Sequence, residues 1–414
     1  MRISTSQQQL QTVQAMLEQQ SRLARTQQQI ASGQRILVPS DDPTGAKQML
    51  DLGATIATAG QYQRTADVAE ARLGAEGNAL QATTNLLQRV RELAVQANND
   101  SLSPPDREAI AVEVRERLSE LVGIANSQDA NGEFLFGGYR ATTQPFSVAP
   151  DGAVVYAGDQ GQRQLQIGAD RRIAVGDSGA AVFQAVRNGN GTFVIERGAN
   201  TGTAIVGPGT VLDTATWQAN PDQYAITFVT NGAGQLAYQI TGAASGQVVP
   251  APPAVAPTDA LAYASGAAID FQGIQVTLTG TPAVGDTFRV APSQQQDIFA
   301  TVAAFANALA APAPDPAARA AQHNDIGRAL TDLDQALQHI AGVNAGVGGR
   351  LNALDSQRAS NADELLRTRA LLAQVGDLDY AQAITQLNRQ QVALSAAQQA
   401  YLRVQGLSLF DRMG

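Results

Sequence analysis

The chain has 414 residues, a net charge of -9, no cysteine and a single lysine, Lys47, beside a basic complement that is otherwise arginine. This balance excludes a nucleic-acid surface, which needs clustered Lys and Arg. The missing cysteine excludes disulfides, thiolate metal sites and a cysteine nucleophile. No stretch reaches the apolar length that spans a bilayer, so no membrane insertion is expected. The opening residues, Met1 to Gln9, lack an apolar h-region, so no cleavable secretory signal is expected. Aromatic residues make up 5% and Trp217 stands alone. A dense aromatic core is therefore not expected, and packing falls to Leu, Val, Ile and Ala.

Residues 1 to about 35 read as a Gln- and Ala-rich helix with a thin apolar seam. Leu10, Leu17, Ala24 and Ala31 recur every seven residues, with Val13 between the first two and Met16, Leu23 and Ile30 on a neighbouring row. The positions that would complete the seam hold Gln20 and Gln27. A mostly helical pattern continues over about 46–98 and breaks at Asn98-Asn99-Asp100-Ser101. It restarts at Ser103-Pro104-Pro105-Asp106, a cap followed by proline in the first turn. Ile110, Val114, Leu118, Leu121 and Ile124 line one face of that helix. Asn126 to Gly138 reads as a turn region with an apolar patch, Phe134-Leu135-Phe136.

From about Ala141 the composition shifts to Gly, Thr and Val. Segments such as Thr192-Phe193-Val194-Ile195 and Tyr224 to Val229 are short and β-prone. They are punctuated by Asn188-Gly189-Asn190-Gly191, read as a hairpin turn, and by Asn231-Gly232. This spacing predicts a sandwich or small barrel, with Pro250 to Pro257 a linker or long loop. Helix returns at about Gln296 and, after Pro312 to Pro316, runs to the end. Gly342, Gly346, Gly348 and Gly349 lie inside it and, at about 1 kcal/mol each against Ala, predict a kink or a close backbone approach. In the last segment Tyr380, Leu387, Leu394 and Tyr401 recur every seven residues, interleaved with Ile384, Gln391, Gln398 and Gln405. A seam that alternates apolar residues with Gln buries little area per heptad, so each terminal helix needs partner helices.

Catalytic and metal constellations are not legible. His323 and His339 have no spacing that makes a metal pair and read as surface helix residues. Asp41-Asp42-Pro43 is the densest carboxylate pair, but it precedes a helix and reads as turn and cap chemistry. Asp129 to Glu133 lacks the twelve-residue calcium ligand pattern and reads as a turn. No enzyme and no cofactor are expected.

Two motifs at opposite ends carry a resemblance. Ile30-Ala31-Ser32-Gly33-Gln34-Arg35-Ile36 is followed by Ser40-Asp41-Asp42-Pro43-Thr44-Gly45-Ala46, and Asp377-Leu378-Asp379-Tyr380-Ala381 by Leu387-Asn388-Arg389-Gln390-Gln391. At these positions the chain resembles the bacterial flagellin superfamily over about residues 1–140 and 296–414. Asp129 to Tyr139, Ile269 to Phe288 and the closing Leu407-Ser408-Leu409-Phe410-Asp411 resemble the hook-associated, junction-forming members more than the filament subunit. Pro43-Thr44 departs from the small residues usual in filament flagellins.

The resemblance implies an α+β chain: a long antiparallel helical bundle or coiled coil formed by both ends, with an inserted all-β domain in the middle. The expected segments are an inner coiled-coil assembly segment at 1–45, a helical rod at 46–140, an outer β domain at 141–295, the returning rod at 296–379 and a second inner segment at 380–414. Leu10, Val13, Leu17, Leu23, Ile30, Ile384, Leu387, Leu394, Tyr401, Leu407 and Phe410 are the expected assembly positions. Ser32, Gly33, Arg35, Ile36, Asp41 and Asp42 are the expected joint between inner and outer layers. The implied role is a structural subunit exported unfolded through the flagellar type III apparatus to the distal end of the hook. The implied partners are further copies of itself, the first hook-associated protein, flagellin and an export chaperone. The alternatives are a filament subunit, and an adhesin or peptidoglycan-active enzyme carried on the same frame.

Overall fold

The structure, a computed structural model, describes residues 5–99 and 101–410. Three helices, α1 (Thr5–Ser32), α2 (Pro43–Ala97) and α3 (Pro104–Ala125), precede a β-rich centre that contains the short α4 (Thr214–Ala219). Then follow α5 (Ile298–Ala310), α6 (Pro316–Gly376) and α7 (Tyr380–Phe410). The architecture is α+β, with long helices at both ends and β structure between them, as the shift in composition predicts. Among the described residues no helix is long and apolar enough to cross a membrane.

Local chemistry sets the helix starts. Ser103 accepts from the Asp106 backbone while the Asp106 carboxylate accepts from the Ser103 backbone, a reciprocal capping box that starts α3. Asp297 and Asp315 accept from the Ala300 and Ala318 backbones at the starts of α5 and α6. The four glycines of α6 behave differently from expectation. The helix runs unbroken through them, and a Cβ at Gly342, Gly346, Gly348 or Gly349 would meet open space, so no backbone among the described residues approaches there.

The chain divides into two compact units. Residues 1–65, 167–170 and 356–414 form the first, and 66–166 with 171–355 the second.

In the second unit α3 packs on α5, and Ile110, Val114 and Leu121 of the first and Val302, Phe305 and Leu309 of the second are buried. Two small antiparallel pairs follow α3: β1 (Phe146–Val148) with β2 (Val154–Tyr156), and β3 (Gln164–Gln166) with β4 (Arg172–Ala174). A π-helical turn, Ala180–Gln184, leads to β5 (Val186–Arg187) and β6 (Phe193–Arg197). The remaining strands are β7 (Ile205–Val206), β8 (Thr210–Val211), β9 (Tyr224–Thr230), β10 (Leu236–Gly242), β11 (Gly246–Val249), β12 (Leu261–Ala262), β13 (Ala268–Phe271), β14 (Ile274–Thr279), β15 (Thr287–Pro292) and β16 (Gln295–Gln296). A six-stranded sheet, β11-β10-β9-β15-β6 with β12 also on β10, and a four-stranded sheet of β13, β14, β7 and β8 share one core. Alternate residues point inward, Tyr224, Ile226 and Phe228 from β9 and Ile274, Val276 and Leu278 from β14.

The aromatic residues are few but concentrated, against expectation. Phe193, Trp217, Tyr224, Phe228, Phe271 and Phe288 are all in the sandwich core. Phe136, Phe146, Phe183 and Phe299 form a second cluster with centroids 5.1–5.6 Å apart. A low overall fraction therefore masks two dense cores, because the terminal helices hold almost none of these rings.

Asn231-Gly232 turns the β9–β10 hairpin as expected, with Asn231 Oδ1 accepting from the Ala233 and Gln235 backbones. Asn188 to Gly191 is not a hairpin turn. β5 pairs with β16 and β6 with β15, so the segment is an excursion from one side of a two-stranded ladder. Gly189 is required there: its φ is +61°, and a Cβ would lie 2.2 Å from the Phe193 carbonyl oxygen.

The Asp129–Glu133 segment is a turn, with Asp129 Oδ1 accepting from the Asn131 and Glu133 backbones. It is anchored by the buried Arg72, which donates to Asp129 at 2.9 Å and Glu133 at 2.8 Å. Hydrogen bonds from Arg163 and Arg72 hold the Glu133 carboxyl below its ordinary range. Buried Glu76 accepts from the Asp177 backbone at 2.9 Å, while Asp177 pairs with Arg350. Burial, then the charge of Asp177, pushes the Glu76 carboxyl up to about 7. His323 and His339 lie half-buried on α6, their ring nitrogens meeting Asn98 Oδ1 at 2.9 Å and the Ala181 carbonyl at 2.8 Å.

Candidate assembly interface

The first unit brings the two ends of the chain together. α1 is built from Gln, Ala, Leu and Arg, residues with high helix propensity. It stops at Gly33, whose φ of +72° places it in the left-handed region that closes a helix. Gly33 is also needed for space, since a Cβ there would lie 2.9 Å from the Tyr380 hydroxyl.

The loop after α1 ties four helix ends together. Gln34 forms an antiparallel bridge with Asp377, and the Leu378 backbone donates to the Gly33 carbonyl at 3.0 Å. The Arg35 backbone donates to Gly376 O at 2.8 Å, and its guanidinium to Val375 O at 2.8 and 3.2 Å. A cation on the last carbonyls of α6 satisfies orphan acceptors and meets the negative end of the helix dipole. Arg35 also lies 3.6 Å from Asp42, whose Oδ1 accepts from the Gly45 backbone and caps α2. Asp41 Oδ2 accepts from the Leu37 and Val38 backbones, and Arg25 of α1 lies 3.3 Å from its other oxygen. Ile36 is buried against Gly45, where a Cβ would clash with the Ile36 Cδ1. Ser32 accepts from the Gln34 backbone. Five of the six residues expected at a joint thus lie in one loop, and Ser32 ends the helix that leads into it. The partners Val375, Gly376 and Tyr380 were not singled out for this contact.

Beyond the joint α1 and α7 pack together. The inward positions of α1 are Thr12, Met16, Gln19, Leu23, Thr26 and Ile30, all buried or half-buried. Those of α7 are Ala383, Leu387, Gln390, Leu394, Ala397 and Tyr401. Both follow the alternating spacing of a coiled-coil seam. Leu23, Ile30, Leu387, Leu394 and Tyr401 therefore take part in the pairing.

Leu10, Val13, Leu17 and Ile384 do not. Leu10 is 65% exposed, Leu17 59% and Ile384 48%, and Val13 is also exposed. Two heptad rows run along α1, and the periodicity alone does not say which one faces α7. The joint decides: Gly33 against Tyr380 and Gln34 against Asp377 bring α7 onto the side that carries Thr26 and Ile30. The other row, Leu10, Val13, Leu17, Gln20, Ala24, Gln27 and Ala31, is exposed along its whole length. On α7 Val392 and Leu402 are exposed as well. The side chains of Leu407 and Phe410 lie outside the described residues.

The chain as a whole has counterparts among solved structures. A flagellar hook-associated protein 3 from Legionella pneumophila is 36% identical, with a TM-score of 0.75, over 78% of this chain and 98% of that one. The chain belongs to the flagellar hook-associated protein 3 family. The family described as the bacterial flagellin N-terminal helical region also matches residues 3–141. The curated hook-associated protein 3 of Escherichia coli is 24% identical over 99% of both chains. That of Salmonella typhimurium is 31% identical over 45% of this chain, a match that spans 58% of the Salmonella protein.

Proposed function

We propose that this chain is a structural subunit of the bacterial flagellum that joins the hook to the flagellin filament, in an extracellular position at the distal end of the hook. The observation that carries this reading is the correspondence with hook-associated protein 3 of Escherichia coli along 99% of both chains. The exposed row of α1 supports it. A second heptad seam with no partner among the described residues is the surface expected of a helix that packs against further helices in an assembly.

The role needs no reacting group. Copies associate through the outer rows of α1 and α7, and the 33–42 loop sets the exit of α2 relative to α1, which makes Ser32, Gly33, Arg35, Ile36, Asp41 and Asp42 a joint between inner and outer layers. The partners are further copies of the chain, the first hook-associated protein on the hook side, flagellin on the filament side, and an export chaperone before secretion through the type III apparatus. A cysteine-free chain suits export in an unfolded state.

A strain lacking this protein tests the role. Hooks without filaments, with flagellin monomers in the medium, are the expected result. Cells that keep filaments and swim would refute it, and purified chain that polymerises into long filaments would indicate a filament subunit instead. Charge reversal at Asp41 and Asp42 separates the joint from a simple cap: assembly should be lost while the isolated chain melts almost normally.

A further inference from the structure

The six-stranded sheet of the sandwich ends at β6 and the four-stranded sheet at β7, and both edges meet α6. An edge strand leaves the N–H and C=O of alternate residues without a strand partner. Along the segment that carries β7, the Thr203 and Gly207 backbones donate to the Thr281 and Thr277 carbonyls at 2.8 and 2.9 Å. The alternation turns Ala204 and Val206 the other way. Asn324 of α6, only 8% exposed, meets both of them. The Val206 N–H donates to its Oδ1 at 2.8 Å, and its Nδ2 donates to the Ala204 carbonyl at 2.9 Å. One side-chain amide thus bonds to the two residues that flank Ile205, as a single residue of a parallel neighbouring strand would.

The β6 edge is occupied as well. Asn190, in the excursion before β6, accepts on its Oδ1 from the Thr192 and Phe193 backbones at 3.0 and 2.9 Å. Its own N–H donates to the Phe193 carbonyl at 3.1 Å. The excursion is held on α6, where buried Asp332 accepts from the Gly189 N–H at 2.6 Å. Arg197 of β6 donates to Asp325 at 2.8 Å, and Glu196 lies 3.6 Å from Arg328. Asn324, Asp325, Arg328 and Asp332 recur at helical spacing, so one face of α6 serves both edges. An apolar face would bury these edges and leave their polar groups without partners.

We propose that this face of α6 is an edge guard, which occupies the β6 and β7 edges and so prevents their pairing with the same edges of a second copy of the chain. Two identical edges pair antiparallel about a twofold axis, which makes a second copy the matching partner. In a chain read as assembling with further copies of itself, an open edge would offer a contact that competes with the helices. The test uses the isolated chain, so its outcome does not depend on that reading.

The measurement is sedimentation of the full-length chain over a concentration series, with amide exchange and the infrared band of intermolecular strands read on the same samples. Wild type is compared with Asn324→Leu, which keeps the shape and removes the amide, and with Asn324→Ala, which removes it without a branched side chain. Gln338→Leu adds an apolar group at an exposed position of the same helix. Exchange at the Val206 amide should rise about tenfold in both Asn324 variants while α3 and α5 stay protected. Both should associate beyond wild type and show intermolecular strands, and Gln338→Leu should match wild type. Adding Val206→Pro removes the N–H that Asn324 receives and should abolish the association. Asn324 variants that keep α3 and α5 protected and sediment as wild type would overturn the proposal. So would association that survives Val206→Pro or appears equally in Gln338→Leu. Loss of α3 and α5 protection in both Asn324 variants would overturn it too, because the amide would then hold the whole unit rather than guard an edge.

Discussion

The β-sandwich and the α1/α7 pair solve the same problem, the burial of apolar surface, in opposite ways. The sandwich closes two sheets over Phe193, Trp217, Tyr224, Phe228 and Phe288, each at most 4% exposed. The helix pair shares a seam in which Thr12, Gln19, Thr26 and Gln390 alternate with Met16, Leu23, Leu387 and Leu394, and it leaves Leu10, Val13 and Leu17 outside. A core of the first kind takes nearly all of its large side chains out of water. A seam of the second kind is marginal without further helices. The difference teaches that burial is completed in one part of the chain and left incomplete in another, where the proposed association would add to it.

The sharpest challenge to this comparison is Phe228→Ala, which should cost about 3–5 kcal/mol through a cavity in the sandwich. Denaturant unfolding followed by Trp217 fluorescence reads it directly, because this lone tryptophan lies in the same core. Next comes pH. The folded chain holds the Glu76 proton up to about 7, above the ordinary carboxyl value of 4.5, so the folded state binds more protons across that interval. The Glu76 contribution to stability should be greatest below 4.5, fall as pH rises from 4.5 to about 7, and level off above it, a loss on the order of 3 kcal/mol. Glu76→Gln should flatten that slope in thermal melts across the same range.

Arg72→Ala should cost about 2 kcal/mol, since it leaves Asp129 and Glu133 without their shared cation while Glu133 keeps some solvent and Arg163. In the helix pair, Leu23→Ala should cost less than about 2 kcal/mol, because its face is only half-buried. Leu17→Ala should change the stability of the isolated chain by no more than about 0.5 kcal/mol, as expected of an exposed site. If Leu17→Ala destabilised the isolated chain as much as Phe228→Ala, the contrast between the two regions would be wrong.

Much of the local chemistry was legible in the sequence. Ser103 and Asp106 announce a capping box, Asn231-Gly232 announces a hairpin, and the heptad repeats announce helices at both ends. The cap at Asp42 was also legible, because Asp before Pro at a helix start has a local cause. The use of Arg35 was not, since its acceptor, Val375, lies 340 residues away. The Asn188–Gly191 segment looked like a hairpin turn because Gly and Asn supply a reversal wherever they occur, and the strand pairing that makes it an excursion is non-local.

What the sequence determined by itself is the order of elements and the periodicity of the terminal helices, because propensity, capping and heptad spacing act over a few residues. The tertiary structure decided which of the two heptad rows on α1 is shared with α7, that the scarce aromatic rings gather into two cores, and that Asn324 meets the edge of β7. These outcomes depend on contacts between residues far apart in the chain, where the joint at Gly33 and Tyr380 sets the rotation of one helix against the other.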